Sequence, residues 1–417
     1  MPDVVVRTLA CGMPLIVESM PGVRSVGVTW LIPAGSSTDP ADKQGLCAMW
    51  SELLLRGAGD LDSHAQADAM DRLGITRGTD ASTHHLRLSF TLLGSRLADA
   101  LPIITDMVLR PQMDEDAVGP SRDLAIQSIE SLADDPQQRA VLTLRELHNP
   151  PPFNRSGLGT VECLNAITRD DLVDGWRRQA RPQGSILAVA GDVGPAGGTD
   201  GLAESLDRLL GGWSGSPPPI TTGSAARRGG YLHVDDKTAQ VQIVLMHDAP
   251  PERSEDSRLE RVVASVLSGG MSARLFTEVR EKRGLCYSVS ESYAADRDWG
   301  RCMAYVGTTP ERAQESLDVL LSELERINTP AGTVTEDEFV RAQIGIKSGL
   351  IMSGESTAAR AAALAGDQFR IGRPRTLDEV AARYASVTLD EVRGYLARRK
   401  LGPTTIVTLG KTSLKRA

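Results

Sequence analysis

Arg280 and Tyr287 are the residues of this chain whose types and spacing best suit them for chemistry. They lie in the segment 269–293, which joins two glycines, a charged amphipathic helix ending at Gly284, and an extended run that opens with an aromatic residue. A cation and a phenol on either side of a helix end can converge on one site and assist a metal or a nucleophile. A structural role also fits, because an arginine near a helix C-terminus interacts favourably with the helix dipole and a tyrosine packs well in a strand.

The sequence motifs of the common catalytic centres are absent from this chain. It contains no Gly-x-x-x-x-Gly-Lys-Ser/Thr, no Gly-x-Ser-x-Gly, and no Gly-x-Gly-x-x-Gly at a strand–helix junction. His84 and His85 are adjacent, so in a strand their side chains would point to opposite faces and could not easily bind one metal together. No His-x-x-x-His or His-x-x-Glu-His occurs, and the residues therefore predict no zinc site.

The composition is typical of a soluble globular protein with two or three domains. The chain has 417 residues, of which 41% are hydrophobic and 24% are charged. Its formal charge of -8 argues against a nucleic-acid partner, since phosphate neutralisation needs a basic face. The five cysteines are scattered without a Cys-x-x-Cys pair, and neither a signal peptide nor a membrane span is visible. We therefore expect a cytoplasmic protein without a membrane partner.

A proline- and glycine-rich linker at 214–230 divides the chain into halves of similar size, because consecutive prolines can neither continue a helix nor donate to a sheet. We predict an N-terminal domain at 1–213 and a C-terminal domain at 231–417. Each half shows the same order of patterns: a β-rich run, a helix, a second helix stopped by glycine, a polar alternating run and a long helix. In order, these patterns occupy 26–32, 46–55, 65–73, 79–92 and 96–109 in the first half, and 241–246, 259–267, 274–283, 287–306 and 310–327 in the second.

The repeated order predicts the fold class. Alternating polar runs suit antiparallel hairpins with one wet face, and a duplicated order of elements favours paired domains over one doubly wound sheet. A further helical region at 114–146 is interrupted at 134–136, and a buried strand is expected at 186–193. The chain is therefore predicted to be an α+β protein with two homologous domains, each a mainly antiparallel sheet packed with helices.

The segment 269–287 resembles a line typical of pitrilysin/insulinase-type zinc metallopeptidases, the inverzincins. That line reads Gly-Gly-Met-Ser-Ser-Arg-Leu-Phe-x-Glu-x-Arg-Glu-x-Arg-Gly-Leu-x-Tyr, and the chain matches it almost throughout. Further agreement is found at 45–57, 134–136, 191–193 and 237–240. The chain is identified as a member of this family, in the smaller subfamily that includes mitochondrial processing peptidases and paired bacterial subunits.

The resemblance also implies that the zinc site of the family is degenerate here. The catalytic half of family members carries His-x-x-Glu-His on a helix, with two zinc ligands and a glutamate base, followed by a distal glutamate ligand. Aligned on the glycines that flank 45–57, the histidine positions hold Ala48 and Glu52, and the base position holds Ser51. The distal position falls near Gln127 or Ser128. No zinc cofactor is therefore expected in this chain.

By resemblance, Arg280 and Tyr287 match a pair that lies opposite the zinc when two halves of the peptidase close like a clam shell. The pair would bind the substrate backbone and stabilise the oxyanion of the tetrahedral intermediate. In paired bacterial forms one subunit contributes the zinc motif and the other contributes this pair. We therefore expect a non-catalytic subunit of a heterodimeric zinc endopeptidase, with a peptide substrate and a homologous His-x-x-Glu-His partner that holds the zinc.

Two other functions stay open at the level of sequence. One is a catalytically inactive structural or peptide-binding homodimer of the same fold, as in the core subunits of respiratory complexes. The other is a zinc enzyme with unrecognised ligands, which the missing histidines make the weakest of the three.

Overall fold

The computed structural model describes residues 4–223 and 229–415. Part of the predicted linker, residues 224–228, lies outside the described residues, whereas 214–223 form an irregular segment without helix or strand. The elements of the first half are β1 (Val4–Thr8), β2 (Pro14–Ser19), β3 (Ser25–Ile32), α1 (Leu46–Leu53), β4 (Gly57–Ala58), β5 (Leu61–Asp62), α2 (Ser63–Arg72), β6 (Thr76–Ala81), β7 (Leu86–Leu93), α3 (Leu97–Leu109), α4 (Glu115–Glu130), α5 (Pro136–His148), α6 (Val161–Ala166), α7 (Arg169–Gln179), β8 (Ile186–Gly191) and α8 (Gly198–Leu209).

The second half repeats much of this order. Its elements are β9 (Gly230–Asp235), β10 (Val241–Ala249), α9 (Asp256–Ser268), a π-helix (Phe276–Glu281), β11 (Cys286–Ala295), β12 (Gly300–Thr308), α10 (Ala313–Arg326), α11 (Glu336–Gly354), α12 (Thr357–Ile371), α13 (Leu377–Ala385), α14 (Leu389–Arg398) and β13 (Thr405–Gly410). No described helix is both long enough and apolar enough to cross a membrane.

Two larger sheets share one topology. The first has the strand order β1-β2-β8-β3-β7-β6 and the second has the order β9-β13-β10-β12-β11. Apart from β1, each strand of the first sheet has a counterpart in the second, and in each sheet a single parallel pair, β2 with β8 or β13 with β9, accompanies antiparallel pairs. The predicted α+β fold with a duplicated, mainly antiparallel architecture is therefore confirmed.

Local sequence explains the main elements. In β7, Leu86, Leu88, Phe90 and Leu92 alternate with more exposed residues, which gives the strand one face in the core. The helical region predicted at 114–146 is interrupted where expected, between α4 and α5, and Asp135 caps the second helix by accepting a hydrogen bond from the Gln138 N–H at 2.9 Å.

Each of the two compact units of the chain includes a helix from the other half of the sequence. The first unit contains residues 1–131, 151–223 and 353–376, and the second contains 132–150, 224–352 and 377–417. Helix α12 therefore packs on β3 and β8 of the first sheet, and α5 packs on β10 and β13 of the second. Each compact unit combines segments from both halves of the sequence, so the units do not test the domain boundaries at 213 and 231. Those boundaries stay a prediction.

Candidate functional site

The segment that carries Arg280 and Tyr287 is anchored to its own unit by a buried arginine. The guanidinium of Arg274 donates to both carboxylate oxygens of Glu338, at 2.6 and 2.7 Å, and to the backbone oxygens of Gly332 and Thr333, at 2.6 and 3.0 Å. The side chain of Arg274 is 7% exposed, so this bidentate pair is shielded from solvent. The start of the segment is thereby held against the first turn of α11.

The helix of this segment is π-helical over Phe276–Glu281, where the sequence predicts an ordinary helix over 274–283. The N–H of Lys282 donates to the oxygen of Thr277 at 2.9 Å, an i to i−5 bond that widens the turn. Gly284 ends the helix with a φ of +60°, and the Leu285 N–H donates back to Val279 at 3.0 Å. The glycine stop predicted from the sequence is therefore present, in the left-handed conformation that favours glycine.

Arg280 contacts two aromatic rings. Its Cζ atom is 4.6 Å from the ring centroid of Phe276 and 5.0 Å from that of Tyr287. Both distances are within the range of cation–π contacts. Among the described residues, no side chain or backbone oxygen accepts a hydrogen bond from this guanidinium. The two ring contacts therefore restrain Arg280, while its N–H donors stay available to a ligand.

A β-bulge presents Tyr287 at the edge of the second sheet. Cys286 pairs with Thr308 and Ser288 pairs with Gly307, so Tyr287 is the extra residue of β11. Its side chain is 79% exposed, although it contacts Arg280. Bulges re-aim side chains next to functional sites, and this one directs a phenol toward solvent beside a cation.

The neighbouring thiol is not suited to act as a nucleophile. Burial raises the pKa of Cys286 to about 11, although the positive charge of Arg280 opposes the shift. A thiol with so high a pKa is protonated at neutral pH and is a poor nucleophile. The chemistry that the segment offers is therefore hydrogen-bond donation to an oxygen atom, from one fixed positive charge and one hydroxyl group.

The three helix positions identified by resemblance lie together on the less buried face of α1. The Ser51 hydroxyl donates to the backbone oxygen of Ala48 at 2.7 Å. Glu52 accepts two hydrogen bonds on its Oε1 atom from Arg56, at 2.9 and 2.7 Å. The only carboxylate of this set is therefore engaged by a cation four residues later in the chain.

The distal position lies on α4, which packs against α1. The Ser128 hydroxyl is exposed and donates to the backbone oxygen of Leu124 at 2.9 Å. Gln127 and Glu130 are exposed on the same helix. The fold thus places the α1 and α4 positions on adjacent helices, as the resemblance implies, but it does so without histidine ligands.

The residues present at these positions do not fit a zinc ion. An alanine, two serines and a carboxylate paired with Arg56 cannot supply the three protein ligands of a catalytic zinc site. Among residues 4–223 and 229–415, no three or more His, Cys, Asp or Glu side chains are grouped so as to hold a metal ion.

Three features of the structure were not expected from the sequence. His84 and His85 lie in the turn between β6 and β7 rather than in a strand, and their ring centroids are 5.1 and 4.6 Å from that of Phe369. The contact of Phe276 with Arg280 is not among the predictions from sequence, although their i, i+4 spacing on a helix is a usable signal. The bulge at Tyr287 leaves no comparable mark in the sequence.

Comparison with known families gives two matches along the chain. The model of the insulinase family, peptidase family M16, matches residues 15–149, and the model of the peptidase M16 inactive domain matches residues 166–346. An uncharacterized zinc protease of Mycobacterium tuberculosis is 28% identical over 398 residues, which cover 94% of this chain and 90% of that protein.

Solved structures show the same fold. The peptidase M16 inactive domain from Pseudomonas fluorescens superposes with a TM-score of 0.87 at 19% identity and covers 100% of both chains. A chain of Complex III2 from Candida albicans superposes with a TM-score of 0.81 at 16% identity, covering 98% of this chain and 96% of the other.

Proposed function

Because this chain belongs to the M16 family of insulinase-type peptidases, we propose that it is the non-catalytic subunit of a heterodimeric zinc endopeptidase. Its partner is a homologous subunit with an intact His-x-x-Glu-His helix, which holds the zinc. The two chains enclose a peptide substrate, and this chain contributes Arg280 and Tyr287.

The observation that carries the proposal is the ring-bound guanidinium of Arg280. A charge held by contacts with Phe276 and Tyr287, with no hydrogen-bond acceptor among the described residues, is oriented before any substrate arrives. Such preorganised donors stabilise the negative charge that develops on a carbonyl oxygen during acyl transfer. The exposed hydroxyl of Tyr287 is a second donor beside it.

The residues at the zinc-site positions of α1 and α4 support an assisting role rather than a catalytic one. The relative from Mycobacterium tuberculosis bears the name of a zinc protease, but Ala48, Ser51, Glu52 and Ser128 offer this chain no equivalent of a zinc cage. Arg280 and Tyr287 need a reacting carbonyl to act upon, and a partner chain with zinc supplies one. The proposal therefore assigns catalysis to the assembly.

Reconstitution with a purified His-x-x-Glu-His homologue from the same genome tests the proposal. The mixture is expected to cleave an unfolded peptide that neither chain cleaves alone. Arg280→Ala or Tyr287→Phe is expected to lower turnover by about 10²–10³-fold per lost donor. Assembly, measured by sedimentation, should change little. Arg297→Ala, on the turn between β11 and β12, is the matched control.

Two outcomes would contradict the proposal. Full turnover of a complex that lacks both the guanidinium and the hydroxyl would remove their assigned role. A stable particle of this chain alone, with no activity in any mixture, would favour the structural or peptide-binding homodimer instead. Elemental analysis of the isolated chain tests the third alternative, a zinc enzyme with unrecognised ligands. About one tightly held zinc per chain would indicate ligands outside the M16 pattern.

A further inference from the structure

The first unit contains a cavity of about 320 Å³, which is large enough for a small ligand. Its walls come from the loop after β3, the chain that follows α5, the last residue of α7, and the irregular residues 218–223. The cavity belongs to a different compact unit from Arg280 and Tyr287, and a binding site there does not rest on the proposed function.

Proline rings form much of the apolar wall. The prolines that line the cavity are Pro40, Pro151, Pro152, Pro218 and Pro219. Ile220 adds an aliphatic side chain to them. Because proline has no backbone N–H, this wall offers an apolar surface with few hydrogen-bond donors. A ligand that fills the space is therefore expected to have an apolar body.

Arg155 supplies the positive charge of the cavity. It is half-buried, and one of its terminal nitrogens donates to the backbone oxygen of Asp39. No carboxylate of the described residues forms a salt bridge with it. The Asp39 carboxylate accepts hydrogen bonds instead from the backbone N–H groups of Gly45 and Cys47, at 2.9 and 3.3 Å, and so caps the start of α1. Most of the five N–H donors of Arg155 are thus available to an anion, and a carboxylate matches their geometry.

Gln179 also lines the cavity. The residue is 9% exposed, and its Oε1 atom is enclosed by the protein with no hydrogen-bond partner among the described residues. Because this oxygen has almost no accessible surface, it offers no acceptor to a ligand in the cavity. The cation of Arg155 and the apolar wall therefore define the parts of a ligand.

We propose that this cavity binds an apolar carboxylate of about the size of an amino acid, either as a free amino acid or as the C-terminus of a peptide. The carboxylate lies on Arg155, and the apolar side chain packs on the proline rings. A ligand of this size is expected to bind with a dissociation constant on the order of 1 mM.

Titration calorimetry and ligand-observed NMR on the full chain test this with three compounds. N-acetyl-L-leucine represents a peptide C-terminus, L-leucine represents a free amino acid, and N-acetyl-L-leucinamide lacks the carboxylate. At least one of the two acids should bind with saturation, and the tighter one identifies the source of the ligand. The leucinamide should bind about tenfold more weakly or worse, since it cannot form the charged hydrogen bonds.

Variants locate the binding site. Arg155→Met should weaken binding of the acid by about tenfold or more, and Arg155→Lys should give an intermediate loss because it keeps the charge but not the paired donors. Arg177→Met, which removes an exposed arginine from α7, is the matched control and should bind normally. Equal binding of acid and amide would overturn the proposal. So would no saturable binding of either acid at about 10 mM, or unchanged binding by Arg155→Met and Arg155→Lys.

Discussion

The guanidinium of Arg280 is oriented by contacts that leave its hydrogen-bonding capacity free. A salt bridge would fix an arginine equally well, but it would occupy the donors that a substrate needs. Cation–π contacts with Phe276 and Tyr287 restrain the group instead. This arrangement explains why three residues that are spread over twelve positions of the chain act together as one group.

Glu291 is a buried carboxylate whose surroundings make the stability of the protein depend on pH. It lies on β11, and both carboxylate oxygens are buried without a hydrogen-bond partner among the described residues. Burial raises its pKa to about 7, and the nearby carboxylate of Glu260 adds to the shift. Since the folded-state pKa exceeds the unfolded value, the stability contribution is fully present below the unfolded pKa near 4.5 and is lost as pH rises through about 7.

We predict that Glu291→Gln removes this loss. The neutral amide needs no proton, so at pH 8 the variant should exceed the wild type in free energy of unfolding by about 3 kcal/mol, and the two should converge near pH 4. Urea unfolding followed by circular dichroism across this pH range measures the difference. Glu315→Gln, at an exposed position of α10, is the matched control. A variant curve parallel to that of the wild type would contradict the prediction.

At the scale of elements, Gly27 in β3 shows how a single residue type permits the packing of a helix on a sheet. A Cβ atom at this position would lie 2.5 Å from the backbone carbon and oxygen of Thr357, the first residue of α12. The missing side chain allows the helix to approach the sheet, and the buried pair of Arg360 with Glu18 holds it there, with Nη2 to Oε2 at 2.5 Å.

We expect Gly27→Ala to displace α12 and to destabilise the protein by about 1–3 kcal/mol, because the clash is with backbone and cannot be relieved by a rotamer change. Gly119→Ala is the matched control. Gly119 lies within α4 with nothing near its added Cβ, and alanine there should stabilise by about 0.5–1 kcal/mol. Thermal unfolding of both variants gives the comparison. A Gly27→Ala variant as stable as the wild type would show that α12 can move at little cost.

The sequence predicts where several elements begin and end, but it does not predict their local irregularities. Periodicity and glycine placement were enough for β3, for the interrupted region of α4 and α5, and for the helix stop at Gly284. They could not give the π-helical turn or the bulge at Tyr287, because few apolar side chains mark the buried positions there. In β11 the buried positions that follow the bulge hold Glu291 and Tyr293, so the break in alternation does not show in the sequence. Both irregularities occur at the candidate site.

At the scale of the whole chain, the sequence could not show which sheet each helix covers. The buried residues of α12 include Ala361, Leu364 and Ala365, which are apolar at helical spacing and would suit either sheet. Only long-range packing assigns this helix to the first unit, against β3 and β8. A division of the chain at the linker therefore separates the first sheet from one of its covering helices.

This exchange of helices predicts that the first half does not fold by itself. A fragment of residues 1–223 lacks α12, so Ile16, Ala188 and Ala190, which cluster with that helix, would be exposed to water. We expect the fragment to unfold without cooperativity and to bind a hydrophobic dye. Fusion of residues 353–376 to its C-terminus through a flexible linker should restore a cooperative urea transition. The same fusion with Leu364→Asp is the control, since a buried charge prevents docking. If residues 1–223 alone unfold as cooperatively as the fusion, α12 is dispensable to the unit.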